Sequence, residues 1–241
     1  MKIKLTASLL ALSLLSNLSI AQLRVPAFNA RYSLFAKGIS VGQGTIILVE
    51  PKNNQYSITT TAVPAGLASI FVSEDFSESS TGTIKENRIL PKSYMQSRKN
   101  SKLHTYSKVD FNWSKKIATF ENKNKHGLIH NGNVKLLQDV VDPASLQLLV
   151  MSDLSKNIKR TSYSFVDNGI IKTYNITHGG FEIIQIGKRK INAYVITQAS
   201  TGSVRKIKMW LDVDDHYLPV KIIQFKNDKE VLKMQLIDVK R

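Results

Sequence analysis

The chain has 241 residues, 42% of them apolar, with 34 Lys and Arg against 18 Asp and Glu, a formal charge of +16 and no Cys. With glycine added, the apolar share falls in the globular range of about 45–50%, which argues against intrinsic disorder, a collagen-like chain and a disulfide scaffold. Stability must therefore come from a buried core, and the length suffices to bury roughly 70% of the unfolded surface.

Lys2 and Lys4 precede an apolar stretch from Leu5 to Leu18, interrupted by Thr6, Ser8, Ser13, Ser16 and Asn17. Ser19-Ile20-Ala21 follows, with small residues three before and one before a cut. This is the layout of a secretory signal over residues 1–21, with cleavage expected between Ala21 and Gln22. The stretch is too short and too interrupted to cross about 30 Å of hydrocarbon, and no later segment reaches about 18 uninterrupted apolar residues. Lipid attachment at the cut needs a cysteine, and there is none. An outer-membrane barrel needs long lipid-facing apolar rows, whereas these strands are rich in Lys and the chain ends Val239-Lys240-Arg241. The expectation is a periplasmic protein without a transmembrane span, not a lipoprotein, with residues 22–241 forming a single β-rich domain.

The mature chain reads as strand after strand. Tyr32, Leu34 and Ala36 alternate with Ser33, Phe35 and Lys37, and Phe28 and Ala30 extend the same face. Further strands are expected over Thr45–Glu50, Tyr56–Val63 and near 69–79, 92–98, 103–112 and 117–121. A second group follows near 159–166, 170–177, 181–186, 190–199, 204–213, 217–226 and 230–239. Asn53-Asn54, Asn131-Gly132, Asn168-Gly169 and Asn227-Asp228 read as hairpin turns. Pro64-Ala65-Gly66-Leu67-Ala68-Ser69-Ile70-Phe71 either folds over a barrel mouth or joins the core, with a short helical turn over 64–70 as one option.

One segment breaks the β pattern. Asp142-Pro143-Ala144-Ser145 opens a run with Leu146, Leu149, Val150 and Leu154 spaced three and four apart. Asp142 suits an N-cap and Pro143 the first helical position, so a helix is expected over about 143–154. So many antiparallel strands must curl, split or close. The expected fold is mainly β, a strongly curved antiparallel sheet or open β-barrel with this one central helix in or across its mouth. Such a barrel leaves space for a ligand, unless the helix fills it.

Removing the leader, which holds Lys2, Lys4 and no acid, lowers the formal charge from +16 to +14. Cations cluster at Arg98, Lys99 and Lys102, at Lys115 and Lys116, at Lys123 and Lys125, and at Lys188, Arg189 and Lys190. A positive surface draws anionic partners, which for a secreted chain are lipid head groups and envelope polymers rather than nucleic acid. The alternative is a solvated face that keeps the protein soluble. Tyr94, Tyr106, Phe111, Trp113, Trp210 and Tyr217 fall on strands and read as core.

No catalytic motif stands out, and no cofactor or metal is implied. His126 and His130 lie four apart, but Gly127 and Asn131-Gly132 place them at a strand end or hairpin, where the rings would stand about 13 Å apart. Asp212, Asp214 and Asp215, followed by His216, read as an acidic turn and lack the spacing of a calcium loop.

The order of features nevertheless resembles a bacterial envelope family, domain of unknown function 3108. The marks are Phe28, Ala30 and Tyr32, then Gly38 and Gly44, Tyr56, Ala65-Gly66-Leu67, Glu78-Ser79 before Gly82, and Leu90-Pro91 with Tyr94. They continue with Asp110-Phe111-Asn112-Trp113, Asp139, Asp142-Pro143-Ala144-Ser145-Leu146, Gly180 with Glu182, Trp210-Leu211 and Leu218-Pro219-Val220. The resemblance implies a strand-rich envelope protein, similar in plan to periplasmic carriers with curved sheets, and it brings no catalytic residues.

Together these features lead to a non-enzymatic envelope protein that holds a lipid, another amphipathic molecule or an apolar protein segment in its concave face. Two alternatives stay open. One is a scaffold with a filled core. The other is a hydrolase of envelope polymers, for which Glu78, Asp110, Asp142 and Glu182 are the acids to inspect.

Overall fold

The computed structural model describes residues 25–65, 74–85, 88–100 and 102–241. The leader, the Ala21–Gln22 cut and the stretch 66–73 lie outside the described residues. The first half of the chain supplies β1 (Phe28–Ala36), β2 (Ile39–Lys52), β3 (Gln55–Pro64), β4 (Asp75–Lys85), β5 (Arg88–Lys99), β6 (His104–Asn112), β7 (Ile117–Lys123) and β8 (Ile129–Lys135). Helix α1 (Pro143–Ser155) follows. The second half supplies β9 (Ser162–Asp167), β10 (Ile170–Ile186), β11 (Arg189–Ala199), β12 (Arg205–Asp212), β13 (Leu218–Lys226) and β14 (Lys229–Lys240).

All fourteen strands join one antiparallel sheet, in the order β8-β7-β6-β5-β4-β3-β2-β1-β14-β13-β12-β11-β10-β9. Each half is a meander, and the two halves meet where the first strand pairs with the last. Tyr32 fastens that join from inside by donating its Oη to the carbonyl of Pro219 at 2.9 Å.

The sheet curls because its strands are bulged. The register shifts at Arg31/Tyr32, Leu34/Phe35, Thr81/Gly82, His178/Gly180, Trp210/Leu211 and Gln224/Phe225, and each bulge bends its strand and raises the local twist. At Gly82 the bend brings β3 and β5 so close that a Cβ would lie 2.4 Å from the Leu90 carbonyl and 2.7 Å from the Tyr56 ring.

No hydrogen-bonded ladder joins the two ends, β8 and β9, among the described residues. The segment between β8 and the helix straps the gap instead. Leu136 donates its N–H to Lys116, and Val141 forms a parallel bridge with Phe165 of β9. Asp139 in this strap binds Arg88 at 3.0 Å and Arg160 at 3.9 Å. The architecture is thus an open barrel with a strapped seam.

Helix α1 lies inside it. Ten of its thirteen residues are buried, which suits a helix that is apolar nearly all round. It packs on β3, β4, β5 and β9.

Several sequence expectations are corrected. Asn131-Gly132 is no turn: both residues sit within β8, opposite Glu121 and Phe120. The glycine there makes room, since its Cβ would lie 3.0 Å from the Phe120 ring. The chain reverses earlier, where the Asn124 side chain accepts the N–H groups of His126 and Leu128. The segments 170–177 and 181–186 are one strand, continuous through a bulge at Gly180. Where a strand was expected near 69–79, one runs over Asp75–Lys85, and residues 69–73 of that expectation lie outside the described ones. Strand β2 begins at Ile39, ahead of Thr45, and takes in Gly42 and Gly44.

Candidate functional site

The helix leaves one stripe unfilled. Pro143, Leu146, Gln147, Val150 and Met151 repeat at helical spacing and face a cavity of about 360 Å³. The opposite wall is the concave sheet, with Ile46, Ile207, Met209, Leu211, Ile222 and Met234. Three of the five methionines in the sequence, Met151, Met209 and Met234, line this space. Methionine is flexible and polarizable, and it adapts a wall to irregular apolar shapes.

The cavity opens upward past Gln96, Arg98, Tyr174, Gln198 and Gln224 into an outer basin of about 1060 Å³. The basin wall adds Lys172, Arg205, Lys206 and Lys226. The Arg98 guanidinium lies over the Phe76 ring at 4.8 Å. Lys172 pairs with Asp167 and Lys206 with Asp228, each at 2.6 Å.

Beneath the cavity a polar knot fixes the helix N-terminus. Asp142 is fully buried, and its Oδ1 accepts the Ser145 N–H at 2.8 Å. Its Oδ2 accepts the hydroxyls of Ser80 at 2.7 Å and Ser145 at 2.8 Å. Tyr56 closes the knot, with its Oη 2.7 Å from Ser145 Oγ. Burial pushes the Asp142 carboxyl up to about 6, although four hydrogen bonds pull the other way. The knot ties β3 and β4 to α1 and is sealed from solvent.

Glu78 is the carboxyl that faces the cavity from β4. It accepts the Tyr94 hydroxyl at 2.7 Å, and Gln96 donates to that hydroxyl at 3.1 Å. Burial pushes Glu78 up to about 7, opposed chiefly by the Tyr94 hydrogen bond.

The other candidate acids stand apart. Asp110 is exposed on β6, where it meets Lys108 and Ser93. Glu182 accepts the Trp210 indole N–H at 2.7 Å. The four candidate acids therefore do not converge on one cleft. Asp212 accepts the Asp214 N–H at the head of a single 3-10 turn, Val213–Asp215, and Arg241 pairs with Asp215. His126 falls in the β7–β8 turn and His130 on β8. Among the described residues no group of three or more His, Asp or Glu could hold a metal ion. No helix among them is long and apolar enough to cross a membrane.

Sequence reasoning picked out Arg98 but missed Lys172, Arg205 and Lys226. These cations stand on three other strands, β10, β12 and β13, far apart in the chain. The usable signal was strand phase: Ile207, Met209 and Leu211 alternate down one face of β12, and Arg205 continues the same series. Of the six aromatic residues singled out, Tyr94, Phe111 and Trp210 are buried. The rings that line the cavity are Phe76, Phe165 and Tyr174.

The sequence matches the family described as "Protein of unknown function (DUF3108)" over residues 28–236. The chain belongs to this family. No curated protein matches it. In fold, this DUF3108 chain is similar to the crystal structure of a beta-barrel-like protein of domain of unknown function DUF1849 from Brucella abortus. The TM-score is 0.60 at 10% identity, over 91% of this chain and 99% of that one. At that identity the likeness is one of fold alone.

Proposed function

We propose that this DUF3108 protein is a non-enzymatic binding protein of the bacterial envelope that takes up the apolar part of an amphipathic molecule inside its barrel. In this reading the leader is removed between Ala21 and Gln22, and residues 22–241 act in the periplasm as one domain. The observation that carries the proposal is the hollow between α1 and the concave sheet, apolar below and polar at its mouth. Its volume of about 360 Å³ falls within the range of about 300–1,000 Å³ typical of ligand sites. A pure scaffold would gain stability by filling that space, since interiors are otherwise close-packed. The driving force is removal of apolar surface from water, about 25 cal/mol per Å².

The test is to express the full chain with its own leader in a bacterial envelope, purify it without detergent, and extract it into organic solvent for mass spectrometry. A stoichiometric amphiphile is expected, and N-terminal sequencing should begin at Gln22. No co-purifying molecule, together with no uptake of the neutral apolar dye N-phenyl-1-naphthylamine, would refute the binding role.

A further inference from the structure

The inward-facing residues of several strands change character in the same direction. On β12 the series from the floor upward is Leu211, Met209, Ile207 and then Arg205. On β13 it is Ile222, Gln224 and Lys226, and on β5 it is the buried Tyr94, then Gln96 and Arg98. Each step is two residues, the spacing that keeps side chains on one face. β12 and β13 therefore present an apolar floor, β13 and β5 an amide collar, and all three a cation at the rim.

The cations are also set against one another. Arg205 pairs in register with Lys226, and Lys226 with Lys229, so three positive residues form one row across β12, β13 and β14. Like charges directly opposite on neighbouring strands oppose pairing. Nearby acids do not relieve the row. Asp167 is taken by Lys172 and Asp228 by Lys206, while Glu78 holds the Tyr94 hydroxyl. Arg98, Arg205 and Lys226 form no ion pair among the described residues. Arg98 does lie near enough to Glu78 to favour that carboxyl's charged form.

Depth sets the other end of the ligand. From Arg205 to Leu211 the strand descends six residues, about 20 Å at about 3.3 Å per residue. One leaflet's acyl chains occupy about 15 Å, half of a hydrocarbon core of about 30 Å. The cavity volume lies near the bottom of the ligand-site range. Within the stripe that α1 turns to this space, the Gln147 Nε2 is buried and has no hydrogen-bond partner, a donor available to a polar group on the guest.

Building on the binding role proposed above, we infer that the ligand is a single-chain amphiphile with an anionic head, its tail lying along β12 and its head seated on Arg98, Arg205 and Lys226. The head is a carboxylate or a phosphate. Both accept the forked hydrogen bonds of two arginines.

The test uses the mature protein loaded with N-phenyl-1-naphthylamine and displaces the dye with four matched dodecyl compounds below their micelle concentrations. These are laurate, dodecyl phosphate, dodecyl maltoside and dodecyltrimethylammonium. Anionic heads should displace the dye at concentrations at least tenfold below the maltoside, with the cation weakest, and salt should shrink the gap. The ratio of laurate to dodecyl phosphate tells which head is preferred. The triple variant Arg98→Gln, Arg205→Gln, Lys226→Gln, checked for folding by circular dichroism, should bring the anions to the level of the maltoside and leave the maltoside unchanged. A lauroyl lysophosphatidylglycerol should displace the dye better than its two-chain counterpart. Equal displacement by all four heads, or a triple variant that weakens all alike, would overturn the anionic seat and leave the binding role intact. Two-chain lipid binding as well as one-chain would overturn the single tail. Failure of the dye and of every amphiphile to bind would sink both proposals.

Discussion

Replacing Asp142 by Asn should change how the stability of this protein depends on pH. The carboxyl is fully buried and held up to about 6, against an ordinary value of 3.8. Between about pH 4 and pH 6 the folded state keeps a proton that the unfolded chain has released. The folded state then binds more protons, so stability falls as pH rises through this window. At about 1.4 kcal/mol per pH unit the gap is worth about 3 kcal/mol. Asn keeps the acceptor for the Ser145 N–H, and its amide can donate to the Ser80 and Ser145 hydroxyls, which then act as acceptors. Asn has no proton to lose. Between pH 4 and pH 8 the stability difference should therefore move by about 3 kcal/mol in favour of the Asn variant. Alanine behaves differently. It loses the cap, about 1 kcal/mol, and strands buried hydroxyls at about 1–3 kcal/mol, so it destabilises at both pH values. Urea unfolding followed by circular dichroism at pH 4, 6 and 8 reads all three proteins. If wild type and Asn variant change in parallel across that range, the buried carboxyl is not the source of the pH dependence.

Glu78→Gln should remove a second fall in stability, centred higher because that carboxyl lies up at about 7, and the same urea series would show it. Tyr56→Phe deletes the hydroxyl 2.7 Å from Ser145 Oγ at the helix N-terminus and should cost about 1 kcal/mol, read as a lowered urea midpoint with unchanged slope. Gly82→Ala sets a Cβ 2.4 Å from the Leu90 carbonyl and should cost about 1–3 kcal/mol, whereas a wild-type melting curve would show that the β4 bend is soft. Met209→Trp puts a large ring into the cavity and should abolish dye uptake while the far-ultraviolet spectrum persists. Retained uptake would move the ligand elsewhere.

Much of the fold is legible residue by residue because its causes are local. Asn53-Asn54, Asn168-Gly169 and Asn227-Asp228 all adopt positive φ in tight hairpins, a conformation that few other residues take readily. Alternation marked Phe28, Ala30, Tyr32 and Leu34 as one buried face. Asp142-Pro143 ahead of the spaced leucines marked the helix, observed over Pro143–Ser155. Where local signals were ambiguous, packing decided. Gly132 looked like half of a turn, yet the chain reverses earlier, at Asn124, and Gly132 pairs with Phe120 inside β8. Segments 170–177 and 181–186 read as two strands and are one, β10, with a bulge between His178 and Gly180.

The amino-acid order alone was enough for the strand-rich class, the helix after Asp142 and the family, because backbone preference and alternation are written over a few neighbouring residues. Only the folded sheet decided where the hollow lies. It arises where curvature draws β12, β13 and β14 across from the one helix stripe that nothing fills. The same curvature gathers Arg98, Arg205 and Lys226 at one rim, although 107 residues separate the first two in the chain. Charge at that rim is a sum over distant strands, and no window of the sequence contains it.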